Sequence, residues 1–313
     1  MSVKIKKSSR RATILRWAGT ILTTGLFIGL VAGQKWDVVL QKASGISPWA
    51  VLLAIAFFIV SWGFNTLRWC SLLWAQDVKI TFWQAFRLVW AGTFASNVLI
   101  STIGGDGFRM VGILRYTERK TVAIGSVVLD RIINVAAMTC LVPVPFLIFG
   151  SSLLSGMAQP AALILPKGLR RLFERYFPKV AGVFQAWASR PRAFVYAFLA
   201  AWPSNLLPMA ATWLIAHQLG MTVSFWQVIG VQTVTYFVSQ LPSINGYGFR
   251  EATYTTLYTA LGASLEQAST LALVTRLISV VATVPGALWL TGSVTDVALR
   301  DAELDDATDP GRS

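Results

Sequence analysis

Runs of about twenty apolar residues recur along this chain, and no other feature restricts its fold so severely. The clearest cover residues 14–33 (ILRWAGTILTTGLFIGLVAG), 48–68 and 269–292. A helix needs about 20 such residues to cross the hydrocarbon core of a bilayer. Strands of membrane barrels instead alternate apolar and polar residues over segments of about ten. Charged residues make up only 13% of the 313, and hydrophobic ones 55%. Soluble domains carry roughly 25% charge, so this chain lacks the polar surface to be one. The expected class is an all-α polytopic integral membrane protein.

Six crossing helices are expected, over 14–33, 48–68, 121–143, 145–165, 193–216 and 269–292. The second opens on Pro48 and closes near Arg68. The fourth follows a split near Pro143 and Pro145. Residues 1–13 form a basic N-terminus, and 14–295 a single transmembrane domain. The stretch 296–313, with Asp296, Asp301, Glu303, Asp305, Asp306 and Asp309, forms an acidic tail expected to be disordered. The first apolar run is long and no small-residue cleavage site follows it, so it reads as a retained helix rather than a signal peptide.

The net charge of +13 is clustered. Lys4, Lys6, Lys7, Arg10, Arg11 and Arg16 crowd the N-terminus, and the loop 166–192 carries Lys167, Arg170, Arg171, Arg175, Lys179, Arg190 and Arg192. Nucleic-acid binding needs a solvated basic face. Here the basic clusters flank apolar runs, so they read as cytoplasmic topology signals and contacts for anionic lipid. Both termini are then cytoplasmic. Cys70 and Cys140 sit in apolar surroundings and read as membrane packing, and His217 reads as an interfacial residue.

Two stretches interrupt the pattern. TFWQ (81–84) and SFWQ (224–227) correspond, as do TIGGDGFR (102–109) and SINGYGFR (243–250), and LDRII (129–133) and VTRLI (274–278). Each pair is separated by 141–145 residues, which defines an internal repeat: copy one over about 81–143, copy two over about 224–292. Read as two re-entrant helical hairpins, the copies come out inverted in the bilayer, and Arg109, Arg115, Arg119 and Lys120 stay on the cytoplasmic side with the other basic loops. The hairpin turns are expected at Gly104 and Gly105 in copy one, and at Pro242, Asn245, Gly246 and Gly248 in copy two. Irregular backbone at that depth survives only when buried in protein or lining a cavity.

Asp106, Arg109, Asp130, Arg131, Arg250, Glu251 and Arg276 are the charges in apolar context, and they are the candidate substrate-binding residues. A charge at the bilayer centre costs about 2.5–3.5 kcal/mol on insertion scales, so such residues normally pair or line a polar cavity. Arginine suits a phosphate through bidentate hydrogen bonds. The competing explanation is structural ion pairing alone. There is no phosphate-binding loop of ATPases. No cofactor, metal or catalytic residue is assigned.

At Gly104-Gly105-Asp106 with Arg109, at Asp130-Arg131, and at Pro242 through Arg250-Glu251, the chain resembles the transmembrane, flippase-like region of bacterial lysylphosphatidylglycerol synthases. The resemblance spans roughly 10–295, with Thr102 and Ile103 standing where that family often has Pro-Gly. It implies a lipid translocase of the bacterial plasma membrane rather than an enzyme. The substrate would be a phospholipid or a polyprenyl-phosphate-linked lipid, bound by its headgroup. It also implies a stand-alone translocating part, with a separate lipid-synthesising enzyme as partner. The alternatives are a membrane scaffold that recruits an enzyme through its basic loops, and an intramembrane lipid-modifying enzyme.

Overall fold

The computed structural model describes residues 44–98, 102–150, 187, 189–239 and 249–289. Every regular element among them is helical: α1 (Pro48–Trp74), α2 (Phe82–Val98), α3 (Thr102–Ile113), α4 (Lys120–Thr139), α5 (Pro143–Phe149), α6 (Pro191–Gln218), α7 (Phe225–Ser239), α8 (Phe249–Ala260) and α9 (Leu265–Thr283). A 3₁₀ turn at Val284–Gly286 follows α9. Four described segments are long and apolar enough to cross a membrane: Pro48–Trp74, Lys120–Phe149, Pro191–Gln218 and Leu265–Trp289. The protein is therefore an all-helical membrane protein. The first expected helix, the second half of 145–165, the basic loop up to 186, the turn residues Pro242, Asn245, Gly246 and Gly248, and the acidic tail lie outside the described residues.

Three helices begin with the same local device. At the start of α2, the Thr81 amide donates to Gln84 Oε1 (2.9 Å) and the Gln84 amide donates to Thr81 Oγ1 (3.4 Å). Ser224 and Gln227 repeat this before α7, at 2.8 and 3.3 Å, and Ser264 and Gln267 before α9, at 3.0 and 3.1 Å. Each is a reciprocal capping box, which satisfies two amides that the first turn would leave unpaired. The matching TFWQ and SFWQ segments are thus helix starts, and the tryptophan in each, Trp83 and Trp226, is exposed.

Several boundaries differ from the sequence expectation. α1 does not close near Arg68 but runs on to Trp74, because the Arg68 charge is paired inside the protein rather than marking an interface. The split near Pro143 falls at residues 140–142, just ahead of that proline, where its missing N–H costs a starting helix nothing. Pro203 and Pro208 both lie within α6. The final helix starts at Leu265 rather than 269, set by its capping box.

The chain divides into two compact units. Among the described residues one comprises 44–54, 140–150, 209–239 and 249–277, and the other 55–98, 102–139, 187, 189–208 and 278–289. In unit one, α5 packs on α7 at Gly230, where a Cβ would lie 2.9 Å from Ile148. α7 also packs on α8. Gln232 Nε2 donates to Thr212 Oγ1 (2.7 Å), tying α7 to α6, and Gln267 Nε2 donates to the Leu219 carbonyl (3.0 Å).

In unit two, α2 and α3 form an antiparallel hairpin joined by residues 99–101. Gly105 of α3 lies against Gly92 and Ser96 of α2, and further along, Gly112 lies against Leu88. A Cβ on Gly92 would sit 2.9 Å from the Gly105 carbonyl oxygen, and a Cβ on Gly105 would overlap Ser96 Oγ and the Gly92 carbonyl. Gly104 and Gly105, expected to make the turn, are instead helical. Gly105 is needed for close helix approach, as small residues are at many membrane helix interfaces. The hairpin rests on an aromatic cluster: Trp90 packs on Trp62 (ring centroids 6.0 Å apart), Phe86 (5.0 Å) and Trp289 (5.3 Å). Its Nε1 donates to the Ala282 carbonyl (3.0 Å).

Replacing Gly105 with valine forces the hairpin apart. The expected loss is about 1–3 kcal/mol of stability, typical of an overpacked site. Gly107→Ala, where an added Cβ meets nothing within 4 Å, gains helix propensity and leaves the unfolding midpoint level or higher. Thermal unfolding of the two variants in detergent measures the contrast.

Candidate functional site: a buried arginine–aspartate cluster

A polar pair on α1, Asn65 and Arg68, lies against Asp130 and Asn134 of α4. Spacings of three and four residues put each pair on one face of its helix. Arg68 Nε donates to Asp130 Oδ1 (2.6 Å) and Nη2 to Asp130 Oδ2 (3.3 Å), while Nη1 donates to Asn134 Oδ1 (2.5 Å) and Nη2 to Asn65 Oδ1 (3.0 Å). Nη1 also reaches Ser204 Oγ of α6 (3.4 Å), and Asn205 Nδ2 donates to Asn134 Oδ1 (3.1 Å). The side chains of Arg68 and Asp130 are 5% and 2% exposed.

α3 adds a second cation. Arg109 Nη2 donates to Asp130 Oδ2 (3.1 Å), and its guanidinium lies over the Trp69 ring, 4.3 Å from the centroid. Trp69 is itself held by a hydrogen bond from Nε1 to Ser126 Oγ (3.1 Å). Arg109 Nε is buried with no hydrogen-bond acceptor among the described residues. Asp130 is therefore shared by two arginines from two other helices, and the three together carry one net positive charge.

The outer part of the cluster is built differently. Asp106, one turn before Arg109 on α3, pairs with Arg131 Nε of α4 and lies 3.9 Å from Arg109 Nη1. Arg131 is 49% exposed and Asp106 17%. Adjacent residues Asp130 and Arg131 point to different faces of α4, one inward and one outward. Among the described residues the cluster thus carries three arginines and two aspartates. Its accessible group is the Arg131 guanidinium, which presents donors in a planar fork suited to a phosphate or carboxylate.

Of the seven charges singled out in the sequence, four meet here: Asp106, Arg109, Asp130 and Arg131. Arg250 and Arg276 belong to unit one. Arg250 begins a strip along α8, its guanidinium 5.4 Å from the centroid of the Tyr254 ring, with Tyr254 and Tyr258 stacked edge-on behind it at 5.5 Å. Both tyrosines are fully buried, and their hydroxyls have no hydrogen-bond partner among the described residues. Arg276 is half-buried on α9. Glu251 lies in α8, and its side chain is outside the described set. Arg68 was missed as a site residue, because a cation closing an apolar run resembles an interfacial anchor. The signal that betrays it is Asn65, a strongly polar side chain one turn earlier in a largely apolar helix.

An all-helical membrane protein with a paired, net-positive ion cluster inside one of its units is the class that this geometry defines. The family model for the lysylphosphatidylglycerol synthase TM region matches residues 16–286, and the chain belongs to that family. It is also similar to a UPF0104 membrane protein of Pyrococcus horikoshii, 23% identical over 279 aligned positions that cover 73% of this chain and 82% of the relative.

Asp130→Asn strands two buried guanidinium groups, so a loss of about 3–5 kcal/mol is expected. Arg131→Gln breaks a half-exposed pair and should cost no more than about 1 kcal/mol. Unfolding midpoints of the two variants, measured side by side, check the difference.

Proposed function

We propose that this protein is a lipid translocase of the bacterial plasma membrane, moving a phospholipid or a polyprenyl-phosphate-linked lipid between leaflets. The observation that carries this reading is the accessible Arg131–Asp106 pair seated on a buried Arg68–Asp130–Arg109 base. A headgroup phosphate takes the place of Asp106 on the Arg131 guanidinium. Asp106 then keeps its neighbour Arg109, so no carboxylate is left without a counter-charge as the headgroup enters. That matters because an uncompensated charge at this depth is expensive. In unit one, Arg250, Glu251 and Arg276 handle the headgroup in the corresponding way. Arg131 and Arg276 are both the twelfth residue of their helices, α4 and α9.

Helix length supports re-entrant hairpins in an inverted repeat. α2 and α3 have 17 and 12 residues, α7 and α8 15 and 12. At 1.5 Å per residue the longest is about 25 Å, short of the roughly 30 Å core. Paired, broken segments in the two halves are where transporters of this design hold their substrates. The lipid is made elsewhere, by a separate synthesising enzyme, and leaves the protein chemically unchanged.

Liposomes reconstituted with the purified protein and a headgroup-labelled phosphatidylglycerol test this directly. Arg131→Ala and Glu251→Gln should each abolish transfer of label to the opposite leaflet, at normal expression and with an unchanged unfolding midpoint. Transfer at the original rate in both variants overturns the reading. A change in the mass of the lipid would indicate an enzyme instead. Sensitivity only to neutralised basic residues in 167–192 would indicate a scaffold.

A further inference from the structure

We propose that a groove on the flank of unit two, separate from the Arg131–Asp106 pair, holds one anionic phospholipid. The groove lies between the second half of α1 and the first half of α6 and has a volume of about 900 Å³. Ligand pockets generally span about 300–1,000 Å³, so it is large enough for most of a lipid chain. Its body is apolar, walled by Phe64 and Leu67 of α1 and by Leu199 and Pro203 of α6. Its mouth is basic, with Arg190 and Arg192 at the start of α6.

Three properties fit the occupant. The first is length. From Arg190 to Pro203 the wall rises about 20 Å at 1.5 Å per residue. One leaflet of a bilayer has about the same depth: roughly 15 Å of hydrocarbon plus 5–7 Å of headgroup region. The second is the position of the aromatics. Trp74 and Tyr196, 45% and 64% exposed, flank the same end as the arginines. Exposed tryptophan and tyrosine of membrane proteins settle at headgroup level. The third is charge. Asp77 is the acid beside the mouth, 3.5 Å from Arg190 Nη2, and both of these side chains are more than half exposed. Two arginines against one aspartate leave an excess of one positive charge for a phosphate, and basic residues near a membrane surface favour anionic lipid. A protein partner or a second copy of this chain has no need of a slot one lipid deep with a charged rim at one end only.

Detergent-purified full-length protein, titrated separately with phosphatidylglycerol and phosphatidylcholine and observed by native mass spectrometry, tests the proposal. Phosphatidylglycerol should be retained more tightly than phosphatidylcholine. The double variant Arg190→Gln/Arg192→Gln should weaken retention of one phosphatidylglycerol by about tenfold or more and leave phosphatidylcholine little changed. Ala200→Trp, which narrows the groove without touching its charge, should weaken both lipids. Three results would overturn it: equal retention of the two lipids with no effect of the arginine substitutions, displacement of the lipid by glycerol phosphate at similar concentration, or a stable dimer that buries the groove. Arg190 and Arg192 are exposed, so their substitution tests the site even if Ala200→Trp fails to fold. The readout is binding alone, so its outcome stands apart from any result on transport.

Discussion

Asp130 is the point on which unit two is organised. Its two oxygens accept hydrogen bonds from Arg68 of α1 and Arg109 of α3, so one carboxylate on α4 fixes the rotation of three helices. Asn65, Asn134 and Ser204 accept further hydrogen bonds from Arg68, and Asn205 donates to Asn134, which extends the network into α6. In a low-dielectric interior such a network is worth having only when nearly complete, because each unpaired member costs more than a bond returns. The Trp69 ring covers the face of the Arg109 guanidinium and so shields the cation where hydrogen bonds do not. With the base of the cluster so constrained, Arg131 is the half-exposed arginine of the group, paired with Asp106.

In α2 and α3, some local signals in the sequence were legible and others needed a distant partner. TFWQ and SFWQ matched because both are capping boxes, a signal carried entirely by four consecutive residues. The glycines of GGDG were as visible, but a glycine in sequence does not say whether it serves a turn or a close approach. Only the partner settles that, and for Gly105 the partner is Gly92, thirteen residues away on the other arm of the hairpin. Arg68 was hidden for a similar reason. Its acceptor Asp130 is sixty-two residues distant, and local hydropathy assigned the arginine to a helix end. The apolar runs, by contrast, needed no partner to be legible, because the bilayer itself supplies the environment that makes twenty apolar residues helical.

The cluster also separates two uses of charge that look alike in sequence. Asp130 and Arg131 are neighbours in the chain, yet one is 2% exposed and the other 49%. Consecutive helical residues point about 100° apart, so an Asp-Arg pair in an apolar helix delivers one charge to the interior and one to the outside. The first holds the helices in place. The second stands half-exposed in a pair with Asp106.

The capping boxes at Thr81, Ser224 and Ser264 carry a consequence for how the protein meets membranes of different thickness. A helix whose first turn is closed by its own side chains begins at a place written into the sequence, not at the depth where hydrocarbon happens to give way to water. In a thinner or thicker bilayer such a capped start resists fraying or extension. The mismatch is passed to the surrounding lipid, which must compress or stretch around the protein, or to the tilt of the long helices beside it.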